Sequence, residues 1–116
     1  LIEYADAMSG HAVTRWSLWA GIANLELGQM RDARVAFLKA LGTIPNSPFL
    51  HAALASSYAL GSDWELAYNH VTALRSRTPN KSDDWRLEQF DLGPRGISSP
   101  SKLRQGLRMA FEKFPP

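Results

Sequence analysis

The sequence predicts an all-α protein built of stacked helical hairpins. The dipeptide Pro45-Asn46 recurs 34 residues later as Pro79-Asn80, and a glycine or proline follows each stretch of helical apolar spacing. The same offset relates four further pairs: Ala33/Ala67, Phe37/Val71, Ala40/Leu74 and Ala20/Leu54. A fixed period of this length, filled with helical patterning, is typical of repeats that bury a shared core and present a face to a partner.

Length and composition indicate one folded domain over residues 1–116. Hydrophobic residues make up 45% of the chain, so a core can form, and the absence of cysteine excludes disulfides and thiolate metal sites. We expect no membrane span, because no run approaches 18 apolar residues, and no signal peptide is visible. A cytoplasmic location is therefore expected. The start at Leu1, inside an apparent helix, suggests a piece of a longer protein.

Two hairpins are predicted, over Ala12–Ile44 and Ser47–Thr78. Ile2–Ser9 is interpreted as the end of a preceding helix, which Gly10 stops. The first hairpin combines helices over His11–Leu27 and Arg31–Thr43, separated by Gly28. Their predicted buried faces are Trp16, Trp19, Ala20, Ala23 and Leu27, and then Ala33, Phe37, Ala40, Leu41 and Ile44.

The second hairpin follows the same plan. Ser47-Pro48 forms an N-cap and first turn, Gly61 closes the helix, and Ser62 with Glu65 predicts a capping box for the next one. Pro79 ends that helix. The inward positions are predicted to be Leu50, Leu54 and Tyr58, and then Trp64, Ala67, Val71 and Leu74.

Beyond Asn80 the repeat decays into a degenerate third unit over residues 82–116. Asp83 is predicted to cap a short helix reaching about Phe90, and Asp91–Ser98 reads as a loop. A last helix over Pro100–Phe114 is expected to fold back over the end of the second hairpin or this third unit. Its apolar stripe is Leu103, Leu107, Ala110, Phe111 and Phe114.

These residues resemble the tetratricopeptide repeat. The first unit, residues 12–45, matches that pattern at Gly21, Ala33, Phe37, Ala40 and Pro45. The second, residues 47–79, matches at Leu54, Ala55, Tyr58, Ala67 and Pro79. Asn24 and Val71 depart from it where aromatic residues are usual. The resemblance implies a short right-handed solenoid with a C-terminal capping helix, acting as a protein-interaction or scaffolding module.

A narrower resemblance concerns the end of the chain. Two repeats, a degenerate third, the stretch Leu103–Arg108 and a proline stop look like the C-terminal region of certain bacterial signalling proteins. Those proteins carry a class III adenylate or guanylate cyclase domain, or a winged-helix DNA-binding domain, ahead of the repeats. The resemblance implies a regulatory or assembly role, with any catalytic residues outside this chain.

Sites for chemistry are poorly supported. His11, His51 and His70 are distant in sequence; His51 and His70 could meet within one hairpin, but a third metal ligand is not evident. Asp83-Asp84 sits at a predicted helix start, where it complements the dipole. The glycines are interpreted as helix ends rather than a phosphate loop. We therefore expect no catalytic residue, no cofactor and no metal.

The resemblance implies instead a concave groove formed by the first helix of each hairpin. Its implied lining residues are Arg15, Leu18, Trp19, Ile22, Leu25, Glu26, Phe49, Ala52, Ala53, Ser56 and Ala59. Such an apolar groove suits an amphipathic helix or another apolar segment of a partner. The alternatives are that the protein's own helices, its upstream domain or a second copy fill it.

The distribution of charge along the chain indicates a second possible function. The chain carries +2, residues 1–79 balance to zero, and the C-terminal part is basic. Its cations are Arg95, Lys102, Arg104, Arg108 and Lys113. They predict either the solvated face of a terminal helix or a surface for nucleic acid or another anion. The aromatic residues lie on the apolar stripe rather than between the cations, which disfavours base stacking.

Overall fold

The computed structural model describes residues 16–89 and 101–116, and within these ranges all regular structure is helical. The helices are α1 (residues 16–26), α2 (Met30–Thr43), α3 (Pro48–Leu60), α4 (Trp64–Arg77), α5 (Asp83–Glu88) and α6 (Ser101–Lys113). The all-α prediction is confirmed. The predictions for Ile2–Ser9, Gly10, Arg15, Asp91–Ser98 and Ser99-Pro100 lie outside the described residues.

Helix α3 is the centre of the molecule. Ten consecutive residues, 50–59, are buried, and α2, α4 and α6 all pack against this helix. A helix that is apolar or small on every side is stable only when it is surrounded, and α3 carries only His51, Ser56 and Ser57 as polar residues between Phe49 and Ala59. Loops of three residues join α1 to α2 and α3 to α4, which favours antiparallel neighbours.

The predicted inward faces of α2, α3 and α4 are largely confirmed. The buried positions are Ala33, Phe37 and Ala40 on α2, Leu50, Leu54 and Tyr58 on α3, and Ala67, Val71 and Leu74 on α4. Leu41 and Trp64 are half-buried, whereas Ile44 is exposed, because it lies beyond the last turn of α2. The right-handed solenoid that the resemblance implies stays a prediction.

The predicted burial of α1 is wrong. Trp16 and Leu27 are 78% and 73% exposed, Ala23 is exposed as well, and the buried residues are Ser17, Gly21 and Leu25. Trp19 is also exposed and Ala20 is half-buried. The cause is the contact with α2: a Cβ at Gly21 would lie 2.5 Å from Phe37 Cε1, so the Phe37 ring occupies the space a side chain would need. A glycine therefore faces α2 at this contact, and Trp16, Trp19 and Leu27 face away.

Helix ends follow the predictions in part. Ser47 Oγ accepts a hydrogen bond from Leu50 N at 3.3 Å, and Gly28 takes the left-handed backbone with φ of 82°, both as predicted. The Ser62–Glu65 capping box is wrong. Asp63 is the N-cap of α4, without a side-chain cap bond, and Ser62 itself adopts φ of 60° in the turn.

A buried arginine fastens α5 to the end of α4. Arg86 donates to Thr78 Oγ1 at 2.7 Å and to the Thr78 carbonyl oxygen at 2.8 Å, and it pairs with Asp83 at 2.7 Å. Asp83 also pairs with Arg75 of α4 at 2.7 Å. The predicted cap at Asp83 is wrong for this reason: Ser82 caps α5, accepting from Trp85 N, while the Asp83 carboxylate binds two guanidinium groups.

Over residues 16–89 and 101–116, no helix is long and apolar enough to cross a membrane.

Candidate helix-binding groove

The C-terminal helix α6 lies along α3 and also contacts α4 and α5. Its predicted apolar stripe is turned inward: Leu103, Leu107 and Ala110 are fully buried, Phe111 is buried and Phe114 is half-buried. The helix thus folds back as expected, but mainly along the length of α3. We call the surface of α1, α3 and α4 that receives it the α6 groove, and describe it from one end to the other.

At the N-terminal end of α6, the Glu26 carboxylate of α1 binds backbone amides of the first helical turn. It accepts hydrogen bonds from Lys102 N at 2.9 Å and Leu103 N at 3.4 Å. The first amides of a helix have no partner within the helix, and the dipole there favours a negative charge. Glu26 supplies both the acceptor and the charge across 76 residues of sequence.

The middle of the groove is a very close helix crossing. A Cβ at Gly106 would lie 2.5 Å from the Ser56 carbonyl oxygen and 2.8 Å from Leu60 Cγ, and closer still to Ser56 Oγ. The Ser56 hydroxyl donates to the Leu103 carbonyl oxygen at 2.6 Å. The interpretation of all glycines as helix ends is therefore wrong here, since Gly106 lies inside α6 to admit the backbone of α3.

At the C-terminal end, α4 supplies aromatic rings and a cation. Phe114 makes edge contacts with Tyr68 and Trp64, with ring centroids 5.1 and 6.2 Å apart. The Arg75 guanidinium lies 5.3 Å from the centre of the Phe111 ring. Contacts of this kind are directional and favourable. They fix the end of α6 opposite to Glu26.

The residues predicted to line a concave groove fall into three groups. Leu25, Ala52, Ala53, Ser56 and Ala59 are fully buried, Leu18, Ile22, Glu26 and Phe49 are half-buried, and Trp19 is exposed. Among them, Glu26 and Ser56 hydrogen-bond α6 directly. That this groove binds a partner stays a prediction. The sequence did not single out Gly106, although a glycine inside a strongly amphipathic helix was a visible signal of close packing.

The two histidines of the second hairpin do meet. His51 Nδ1 and His70 Nδ1 are 3.0 Å apart, and His51 Nε2 is 3.1 Å from the Pro45 carbonyl oxygen. A carbonyl only accepts, so His51 Nε2 carries a proton; with His51 neutral, its Nδ1 accepts and His70 Nδ1 donates. Tyr58 stacks on His70, with Arg34 over the Tyr58 ring. The bond between the two Nδ1 atoms needs one of them unprotonated, so the two imidazoles cannot both be charged.

Electrostatics agree with neutral histidines. Burial lowers the pKa of His70 to about 4, with the neighbouring His51 adding to the effect. Burial also lowers the pKa of His51; the hydrogen bond to Pro45 opposes that shift and the charge of Arg77 reinforces it. Within the described part of the chain, no group of three or more His, Cys, Asp or Glu side chains could hold a metal ion.

The basic face of α6 is dispersed. Arg108 and Lys113 are exposed, whereas Lys102 and Arg104 are half-buried beside the groove. Lys113 Nζ also lies 5.4 Å from the centre of the Trp64 ring. With Arg108 and Lys113 as the exposed cations of α6, the surface that this helix offers to an anionic ligand is small.

No family model, curated protein or solved structure matches this chain.

Proposed function

We propose that this domain is a protein-interaction module that binds an amphipathic helix in the α6 groove. One observation carries the proposal: the groove already holds a helix, α6, through contacts to its apolar stripe and its backbone. A surface shaped for one amphipathic helix has the properties of the helix-in-groove mode of recognition. In the free domain α6 plays the part of the ligand.

The setting of the module rests on the sequence resemblance alone. We place it in the regulatory or assembly part of a cytoplasmic bacterial signalling protein, with a cyclase or DNA-binding domain upstream. The partner helix then comes from the upstream domain, a second copy or another protein.

The test is an exchange experiment on the whole chain. A protease site is inserted between Gln89 and Ser101, the protein is folded and then cleaved, so that α6 is held without a covalent link. A fluorescent peptide of residues 101–116 is expected to replace the endogenous helix, which fluorescence anisotropy measures. The control peptide carries Leu103→Glu and Leu107→Glu, which place charges at two fully buried positions.

Failure of the wild-type peptide to exchange, in a cleaved protein that stays folded, would contradict the proposal. α6 would then be an inseparable part of the core. The competing function, binding of nucleic acid by the basic residues of α6, predicts instead an affinity for DNA or RNA that falls steeply with added salt. Two exposed cations give that function little support.

A further inference from the structure

We infer that the α6 groove selects partner helices by a glycine at the crossing point, and that α6 is a built-in competitor carrying that glycine. The inference rests on the proposed function and names the partner's chemistry. The partner is an amphipathic helix with glycine three residues after its first buried leucine, followed by apolar residues at the next position and one turn later. In α6 these are Leu103, Gly106, Leu107, Ala110 and Phe111.

The selectivity for glycine comes from rigid neighbours. A Cβ at position 106 would collide with the Ser56 carbonyl oxygen, which belongs to the backbone of a fully buried helix turn. Flexible side-chain ends can move aside, but this backbone cannot move without shifting α3, which α2 and α4 hold on other sides. Even alanine therefore overfills the crossing.

The hydrogen bonds that Glu26 and Ser56 form with α6 go to its backbone, so they depend on where the helix lies and not on its side chains. Glu26 accepts from two backbone amides of α6, and Ser56 donates to a backbone carbonyl oxygen. Any helix with a free N-terminus at that place can satisfy Glu26. Together with the aromatic contacts at the other end, these bonds define one direction for the bound helix, while the glycine and the apolar stripe define its sequence.

Because α6 of the same chain occupies the groove, a partner helix needs a minimum affinity to displace it. A segment of the same chain competes at an effective concentration on the order of millimolar. A free partner at micromolar concentration must therefore bind far more tightly than α6, or be held nearby in the same assembly. The arrangement keeps the groove closed to amphipathic helices that lack the glycine.

The experiment compares three peptides of residues 101–116 on the cleaved, folded chain described above. We expect the wild-type peptide to exchange, a Gly106→Ala peptide to bind at least about tenfold more weakly, and a Gln105→Ala peptide to match the wild type. Position 105 is exposed on α6 and adjoins the glycine, so its substitution controls for placing an alanine in this turn without filling the crossing. The higher helix propensity of alanine at position 106 would by itself favour binding, so it cannot cause the expected loss.

The outcomes separate the inference from the function on which it rests. Equal binding of the Gly106→Ala and wild-type peptides would overturn the glycine selection while leaving a helix-binding groove. Exchange of none of the peptides would overturn the proposed function itself. Because every peptide meets the same cleaved protein, a folding defect in a variant domain cannot imitate either result.

Discussion

Acidification should destabilise this protein through the histidine pair. The unfolded chain has ordinary histidines with a pKa near 6.5, whereas the pKa of His70 in the folded chain is lowered to about 4. Between these values the unfolded state binds more protons, so the free energy of unfolding falls as the pH falls. The loss begins near pH 6.5 and is complete near pH 4 for His70. The lowered pKa of His51 acts in the same direction.

The size of the effect follows from the shift and the environment. Each pKa unit corresponds to about 1.4 kcal/mol, but the His70 side chain is only half-buried, and water screens part of the penalty. We therefore expect a loss of about 1–2 kcal/mol from His70 over this range. Protonation of both histidines also removes the acceptor of their hydrogen bond, since both Nδ1 atoms then only donate.

The assay is urea unfolding at a series of pH values between 4 and 8. The variant His70→Gln keeps an amide donor for His51 but does not titrate, so its stability should fall less steeply with pH than that of the wild type. Asn69→Ala, at an exposed neighbouring position, is the control and should retain the wild-type slope. A pKa of His70 at or above 6.5 in an NMR titration of the folded protein would refute the reasoning.

Three further predictions concern the packing of the core and the contact between α4 and α5 made by Arg86, and each is measured by chemical unfolding. Gly106→Ala in the whole chain should lower the free energy of unfolding by about 1–3 kcal/mol. The control Gly42→Ala, where an added Cβ meets nothing within 4 Å, should leave it unchanged or raise it by up to about 1 kcal/mol. Equal effects of the two substitutions would contradict the close crossing at Gly106. Arg86→Met should lower the free energy of unfolding by about 2–4 kcal/mol, because it removes the hydrogen bonds of a buried guanidinium to Asp83 and Thr78. The control Arg77→Met, at an exposed position, should change it by less than about 0.5 kcal/mol. Ala67→Leu, at a fully buried position, should cost about 1–3 kcal/mol, and an unchanged midpoint would refute its placement.

Sequence periodicity identified most of the core. The inward positions of α2 and α4 were predicted because polar residues occupy the opposite faces, so the apolar stripe has one interpretation. Helix α1 was different: it carries apolar residues on two faces, and hydrophobicity alone favoured the tryptophans as the buried side. The actual contact is governed by shape, since Phe37 needs the space that Gly21 leaves.

Local chemistry at helix ends was predicted well where one residue decides it. Ser47-Pro48 and Gly28 act within a single turn and behave as expected. The caps at Ser62 and Asp83 failed because the competing partners are non-local or conformational: Asp83 binds guanidinium groups from two helices, and Ser62 takes the left-handed turn position. Sequence alone ranks such alternatives poorly, since their energies differ by about 1 kcal/mol.

The sequence by itself determined the helices, their order, the inward faces of α2, α3 and α4, and the amphipathic character of the last helix, because spacing along a helix converts directly into a face. Only the tertiary structure decided that α6 lies along α3, that Glu26 binds its first amides from α1, that Gly106 sets the crossing distance, and that a hydrogen bond joins His51 and His70. Each of these depends on which surfaces meet across 19 to 77 residues of chain. Steric fit and the removal of water from both surfaces determine which of them pack together, and no local sequence pattern encodes either property.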